Sequence, residues 1–544
     1  FFFKQKTAYE IYQCDWSSDV CSSDLFAQCL ALGALALEVG FAGAVSAFEF
    51  GFQGQIQLAA FGHEHAFDKI AFFRFSGHTA SIIAPHMSQD RDTLRPLPGF
   101  QYSRLQFEGM VDAALAHARR LGASDAGAEA SEGCGLSVSV RKGELENIER
   151  NRDKSLGITV YLGQRRGSAS TSDFSPEAIE RTVQAAYDIA RFTAEDPAAG
   201  LPDEQDIAHN HPDLGLFHPW DIDSEGAAEL ALRCEAAALA TDPRISNSEG
   251  AAVSAQQSHF FSAHSRGFRG GYASSRHSLS VAPIASVGDD MQRDAWYSSM
   301  RRASDLASPE AVGRYAAERA LSRLGSRKIS TRTCPVLFES TLATGLMGHF
   351  IQAISGGALY RKSTFLLDSL GKPVFPKHIR IHEDPFVPMG KGSSPFDEEG
   401  VTPQKRDIVT DGRVQGYVLS TYSARKLGLR TTGNAGGSHN LLLSSSRTHA
   451  GDDLDQMLRT LGTGLFVVEL MGQGVNYVTG DYSRGASGFW VENGQIAYPV
   501  QEITIAGNLR DMYKGIEAVG ADAYNYGAKT VGSVLINRMK VAGS

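Results

Sequence analysis

The sequence predicts an α+β fold. An N-terminal α+β part, with an antiparallel sheet and flanking helices, precedes a β-rich C-terminal domain of barrel or sandwich type. Three observations predict this. Leu105, Phe107, Met110, Val111, Ala114, Leu115 and Ala118 recur at helical spacing over 104–121 and form one apolar stripe. Polar and apolar residues then alternate through GLSVSVRKGELENIERN and SLGITVYLGQRRGSASTSD, each around a turn pair, Lys142-Gly143 and Gly163-Gln164. Beyond residue 330, short apolar runs separated by glycines replace long helical periods.

Taken in order, the 104–121 helix leads into two consecutive hairpins of one antiparallel sheet. Ser175-Pro176 then opens a helix running to about Thr193, with Ser as N-cap, Pro in the first turn, and Glu177 and Glu180 near the positive end. Residues 194–222, rich in Asp, Pro and His, read as a linker or surface loop. A helix from Glu225 to about Ala240, strands near 255–263 and 270–281, and a helix from Pro309 to Leu324 make a second α+β block. The expected domains are therefore 100–195, 220–326 and 330–544.

The first 86 residues stand apart. Three of the six cysteines and fourteen of the 29 phenylalanines fall within residues 1–100. The opening FFFKQKTAYEIYQCDWSSDVCSSDL reads like a translated sequencing adapter. The apolar run 26–48 carries Glu38 in its middle and no Lys or Arg to set an orientation, so a membrane span is not expected there. Met87 is the expected start, and 1–86 is expected to be spurious upstream sequence.

Composition excludes several function classes. Hydrophobic residues at 42% and charged residues at 21% are those of a soluble globular protein, not of a disordered or multi-span membrane chain. A net charge of −9 without a basic block argues against nucleic acid as a partner. The cysteines lack paired spacing, which argues against a disulfide scaffold, and Cys334 is expected in the core of a strand.

The chemistry-bearing motifs are sparse. TLATGLMGHFIQAISGG (341–357) offers a lone His349, which on an apolar helix is more often a packed or partner-facing residue than a metal ligand. In His382-Glu383-Asp384, consecutive strand side chains alternate faces and cannot converge without a special turn. His209, His211 and His218 lie in the polar linker. Met389-Gly-Lys-Gly-Ser-Ser lacks phosphate-loop spacing, and there is no Gly-x-Ser-x-Gly elbow. The glycine clusters Asn434-Ala-Gly-Gly, Gly462-Thr-Gly-Leu, Met471-Gly-Gln-Gly and Thr479-Gly-Asp-Tyr-Ser-Arg-Gly-Ala read first as tight turns at barrel corners. Alternatively they line a groove in which an extended peptide pairs with strand edges, with Asp481 and Arg484 as polar contacts. From the residues alone, no catalytic constellation emerges.

GGALYRKSTFLLDSLGK (356–372), PFDEEGV (395–401), STYSARKLGLRTTGNAGG (420–437), ELMGQGV (469–475) and TGDYSRGASGFWVENG (479–494) together closely resemble the TldD/PmbA metallopeptidase family, on its PmbA (TldE) side. The resemblance runs from about residue 105 to Ser544. It implies a two-subunit, cytoplasmic bacterial zinc peptidase acting on short or unfolded peptides, including leader removal from modified antibacterial peptides.

In the TldD-type subunit a His-Glu-x-x-x-His helix and a Cys near the C-terminus hold the zinc, and the Glu is the general base. Those positions correspond here to Thr344, Gly345, His349 and Val531. The resemblance thus implies no catalytic or metal-binding residue in this chain, no cofactor of its own, and zinc on a TldD-type partner in a heterodimer. It also implies a partner- or substrate-facing chamber with His349, Gly472, Gly474, Asp481 and Arg484. Two other readings compete: a stand-alone peptide-binding adaptor, and an autonomous peptidase with an unrecognised site.

Overall fold

The computed structural model describes residues 95–543. The expectations for residues 1–86 and for Met87 fall outside the described residues. The α+β class is observed, with barrel closure in the C-terminal region.

Helix α1 (Arg104–Arg120) opens with Ser103 in a capping box with Gln106 and buries Phe107, Val111, Ala114 and Ala118. Strands β1 (Asp125–Arg141) and β2 (Glu144–Leu162) turn at Lys142 and Gly143, both at positive φ, as a tight hairpin demands. Strand β3 (Arg165–Thr171) follows, then α2 (Pro176–Phe192), capped by Ser175. Next come α3 (Ser224–Leu239), capped by Asp223, and β4 (Ile245–His264), which runs well beyond the expected 255–263. Strands β5 (Arg269–Gly270), β6 (Ala273–Val287), β7 (Asp290–Arg293) and β8 (Trp296–Met300) precede α4 (Pro309–Ser322).

The two blocks share one eight-stranded sheet of order β3-β2-β1-β4-β6-β7, with β5 on β4 and β8 on β6. Strand β1 is the seam. Its even-numbered residues face inward along its whole length. Ala126, Ala128 and Ala130 meet α1 and α2, and Leu136, Val138 and Val140 meet α3. Antiparallel pairing of β1 with β4, from Gly127↔His264 to Val140↔Ala251, joins what the sequence presents as separate hairpins. The 194–222 segment is largely irregular but tied down. Asp196, Asp203 and Asp206 pair with Lys426, Arg425 and Arg430 of the C-terminal region.

The C-terminal region holds two further sheets. In the first, β9 (Arg332–Phe338), β14 (Gly464–Met471), β15 (Asp481–Glu492), β16 (Gln495–Asn508) and β20 (Val534–Ala542) close on themselves, because β16 also pairs with β20; β17 (Ile516–Val519) extends from β20. The second has the order β12-β11-β10-β13-β19-β18, made of β10 (Ile379–Asp384), β11 (Arg406–Thr410), β12 (Arg413–Val414), β13 (Asn440–Ser445), β18 (Tyr524–Tyr526) and β19 (Lys529–Val531). Helix α5 (Ser340–Ala353) lies among them and contributes Leu346, Met347, Phe350 and Ile351 to the largest buried cluster. Cys334 is buried on β9, as expected.

Candidate functional site

Helix α5 is apolar on most of its circumference and buries Ala343, Thr344, Leu346, Met347, Phe350, Ile351 and Ala353. Its remaining face carries Gly345, Gly348 and His349, one turn apart. A side chain at Gly345 would meet nothing within 4 Å, and one at Gly348 would lie 3.6 Å from the Lys529 stem. This face is therefore bare helix backbone with one imidazole beside it. The Nδ1 atom of His349 lies 2.8 Å from the Tyr477 hydroxyl, and its ring centroid is 6.0 Å from that of Tyr482. Burial first, then the charges of Arg484 and Lys529, pulls the His349 pKa down to about 4, so the ring is neutral at pH 7.

Strand β15 supplies the opposite wall. Tyr482 is 1% exposed, and burial pushes its phenol up to about 12. Its hydroxyl and the Arg484 Nε are buried with no closed hydrogen bond, although the Arg484 guanidinium lies near enough to the hydroxyl to oppose part of that rise. Because side chains alternate along a strand, Tyr482 and Arg484 share a face and Asp481 takes the other. The exposed Asp481 carboxylate accepts from the Thr479 hydroxyl at 2.7 Å and from Asn508 Nδ2 at 3.1 Å; these bonds hold its pKa below the usual range. Asp481 thus fastens a loop and does not pair with Arg484.

Gly472 turns the chain at φ +76° after β14. Gly474 passes so close to β15 that an added Cβ would sit 1.8 Å from the Ser483 carbonyl oxygen. Its own carbonyl accepts from Ser483 N at 2.7 Å, and this register brings Tyr477 over His349. Of the five residues singled out in sequence, His349 and Arg484 converge, Gly472 and Gly474 shape the loop above them, and Asp481 faces away. Tyr477, Tyr482 and Lys529 were missed. The period of a strand through Asp481-Tyr482-Ser483-Arg484 would have indicated Tyr482; nothing local announces the other two.

The four positions that the resemblance sets against the zinc ligands and the general base lie on two elements that pack together. Helix α5 packs against β19, which carries Val531. Thr344 is buried with its hydroxyl donating to the Thr341 carbonyl at 2.6 Å, and Gly345 and the fully buried Val531 offer no donor atom. His349 is the one imidazole, and its charged neighbours are cations, which repel a divalent metal. These residues do not fit zinc, which needs at least three protein ligands.

The His382-Glu383-Asp384 run is tied into structural pairs. On β10, Asp407 sits 2.6 Å from His382 Nδ1, Lys405 pairs with Asp384, and the fully buried Glu383 accepts from Arg406 Nε, Asn434 Nδ2 and the His439 backbone. The three side chains diverge, as strand alternation requires. In PFDEEGV, Asp397 Oδ1 accepts from the backbone N–H groups of Glu399 and Val401, and Oδ2 accepts from Ala435; burial and Glu399 push this carboxyl up to about 7. That motif scaffolds the Asn434 glycine loop.

Three family models match the chain: PmbA/TldA metallopeptidase domain 1 over 128–190, the central domain over 217–324 and the C-terminal domain over 331–543. Metalloprotease PmbA of Escherichia coli O157:H7 is 53% identical over 413 residues, covering 76% of this chain and 91% of that protein. This chain belongs to the PmbA/TldD metallopeptidase family. It is of the PmbA/TldE type, and a Haemophilus influenzae metalloprotease PmbA homolog is 49% identical over 75% of this chain and 90% of its own length.

Among solved structures, a Bacteroides thetaiotaomicron protein described as a modulator of DNA gyrase shares 25% identity, with a TM-score of 0.75 over 80% of this chain and 99% of its own. TldE of Thermococcus kodakarensis, 18% identical with a TM-score of 0.69 over 80% of this chain and all of its own, shares the fold. No helix among the described residues is long and apolar enough to cross a membrane.

Proposed function

We propose that this PmbA/TldE-type chain is the metal-free subunit of a two-subunit cytoplasmic zinc peptidase. It is inactive alone, and it joins a TldD-type partner that holds the zinc and the general base. Its substrates are short or unfolded peptides, including the leaders of modified antibacterial peptides. The observation that supports this reading is a neutral His349 flanked by Arg484 and Lys529, with no donor side chain at Gly345 or Val531 and a self-satisfied Thr344, the positions that the resemblance sets against the general base and two of the zinc ligands. The chain's own contribution is to bind and orient peptide over the bare face of α5 and along β15, and to shield it from water beneath the Gly472–Gly480 loop.

Zinc content and peptidase activity of the purified chain, alone and mixed with a TldD-type subunit, test this. Zinc near zero alone, with activity only in the mixture and co-elution on gel filtration, is the expected result. Equimolar zinc and activity in the isolated chain would overturn it. Substituting Asp481 and Arg484 in the reconstituted pair is expected to lower activity with the partner's zinc unchanged; unaltered activity counts against a shared chamber.

A further inference from the structure

The cluster around His349 has the chemistry of an anion site. Arginine and lysine only donate, and a tyrosine hydroxyl without an acceptor has a proton to give. A tyrosine hydroxyl can serve Nδ1 of His349 in either direction; when Tyr477 donates to it, the ring proton sits on Nε2 as a further donor. No carboxylate among the described residues pairs with Arg484, and Asp481, its chain neighbour, is turned to the opposite face and held by Thr479 and Asn508. Buried polar atoms in folded proteins are nearly always paired, so an orphaned hydroxyl on a side chain as buried as Tyr482, next to an orphaned guanidinium Nε, marks a place where a partner belongs.

Gly345, one helical turn from His349, is exposed and carries no side chain, so a peptide backbone can lie close to the helix there. We propose that Arg484, the Tyr482 hydroxyl and His349 together bind a carboxylate of the peptide, delivered over the bare face of α5. Guanidinium and carboxylate match as a planar two-pronged pair, which suits this site to a carboxylate at a chain end or on an Asp or Glu side chain. The peptide as its source rests on the proposed function; the anion preference itself does not.

Calorimetric titration of the isolated full chain tests this without depending on a catalytic partner. The probes are N-acetylated penta-alanine as free acid, the same peptide as C-terminal amide, and an amide with a central aspartate. The acid is expected to bind about tenfold or more tightly than the plain amide, since a charged hydrogen-bonded pair is at stake. In Arg484→Gln that preference should fall to about threefold or less, with partial recovery in Arg484→Lys.

Tyr482→Phe removes a hydroxyl whose proton has no acceptor in the fold, so it should change the melting temperature little while weakening the acid preference. If the aspartate amide binds like the acid, the site takes side-chain carboxylates and the inference stands. Equal binding of acid and plain amide, an unchanged preference in Arg484→Gln, or no binding of the acid overturns it. Any of these can occur while the mixed subunits still hydrolyse peptides, which separates this failure from failure of the proposed function.

Discussion

Glu383 is fully buried on β10, and its carboxylate satisfies Arg406, Asn434 and His439 at once. Burial alone would raise its pKa; the hydrogen bonds from His439 and the charge of Arg406 outweigh that and hold it at about 2. Its folded pKa is thus below the ordinary 4.5, so its contribution is fully present above that value and is lost as pH falls through about 2. Chemical denaturation between pH 5 and pH 2 is expected to show a steeper loss of stability in the native chain than in Glu383→Gln. At neutral pH that variant should lose about 3–5 kcal/mol, because Arg406 is left with an uncompensated buried charge. The divergence of His382, Glu383 and Asp384 was legible in sequence, since alternation is a local property of strands. Which partner each would find was not, since Asp407, Asn434 and His439 reach them only through sheet pairing and loop return.

Helix α5 has no side-chain cap at its start. Glu339, just before it, instead joins a network at the junction of central and C-terminal regions. Arg319 of α4 binds Glu339 at 2.6 Å and Asp294 at 3.2 Å, Arg323 reaches Asp294 and Glu469, and the Thr341 hydroxyl donates to Glu339. Because Arg319 is largely buried, Arg319→Ala is expected to cost about 3 kcal/mol or more in urea unfolding. The double variant with Glu339→Gln should cost less than the two singles summed, since the residues are in direct contact.

The loop above the helix has a separate weak point. Gly474→Ala forces a methyl into the Ser483 carbonyl, so the loop must lift and Tyr477 must leave His349. The expected result is a large chemical-shift change at the His349 ring with little change in melting temperature; an unmoved His349 signal would refute it. The helix itself was visible from its apolar sequence. Its glycine face read as a lost ligand set because a pattern reports missing donors, not what approaches in their place.

Over the whole molecule, the decisive pairing is β1 with β4. It converts two sequential α+β blocks into one sheet, in which a single strand feeds both cores. A fragment ending near residue 210 would lose Phe261 and Ala263 from the α1–α2 core and leave β1 an open edge. It is expected to be unfolded or aggregated by circular dichroism, whereas 95–326 should retain the sheet. Sequence pattern could not show this, because the hairpin signals end at each turn while β4 returns from more than a hundred residues away.

Sequence by itself determined the α+β class, the bounds of the capped helices and tight hairpins, and the family, because caps, turns and periodicity are chemistry between near neighbours. Only the tertiary structure decided that Tyr477, Tyr482, Arg484 and Lys529 gather around His349 while Asp481 turns away. Those residues meet through strand register, barrel closure and loop return, which bring together side chains that no local pattern relates.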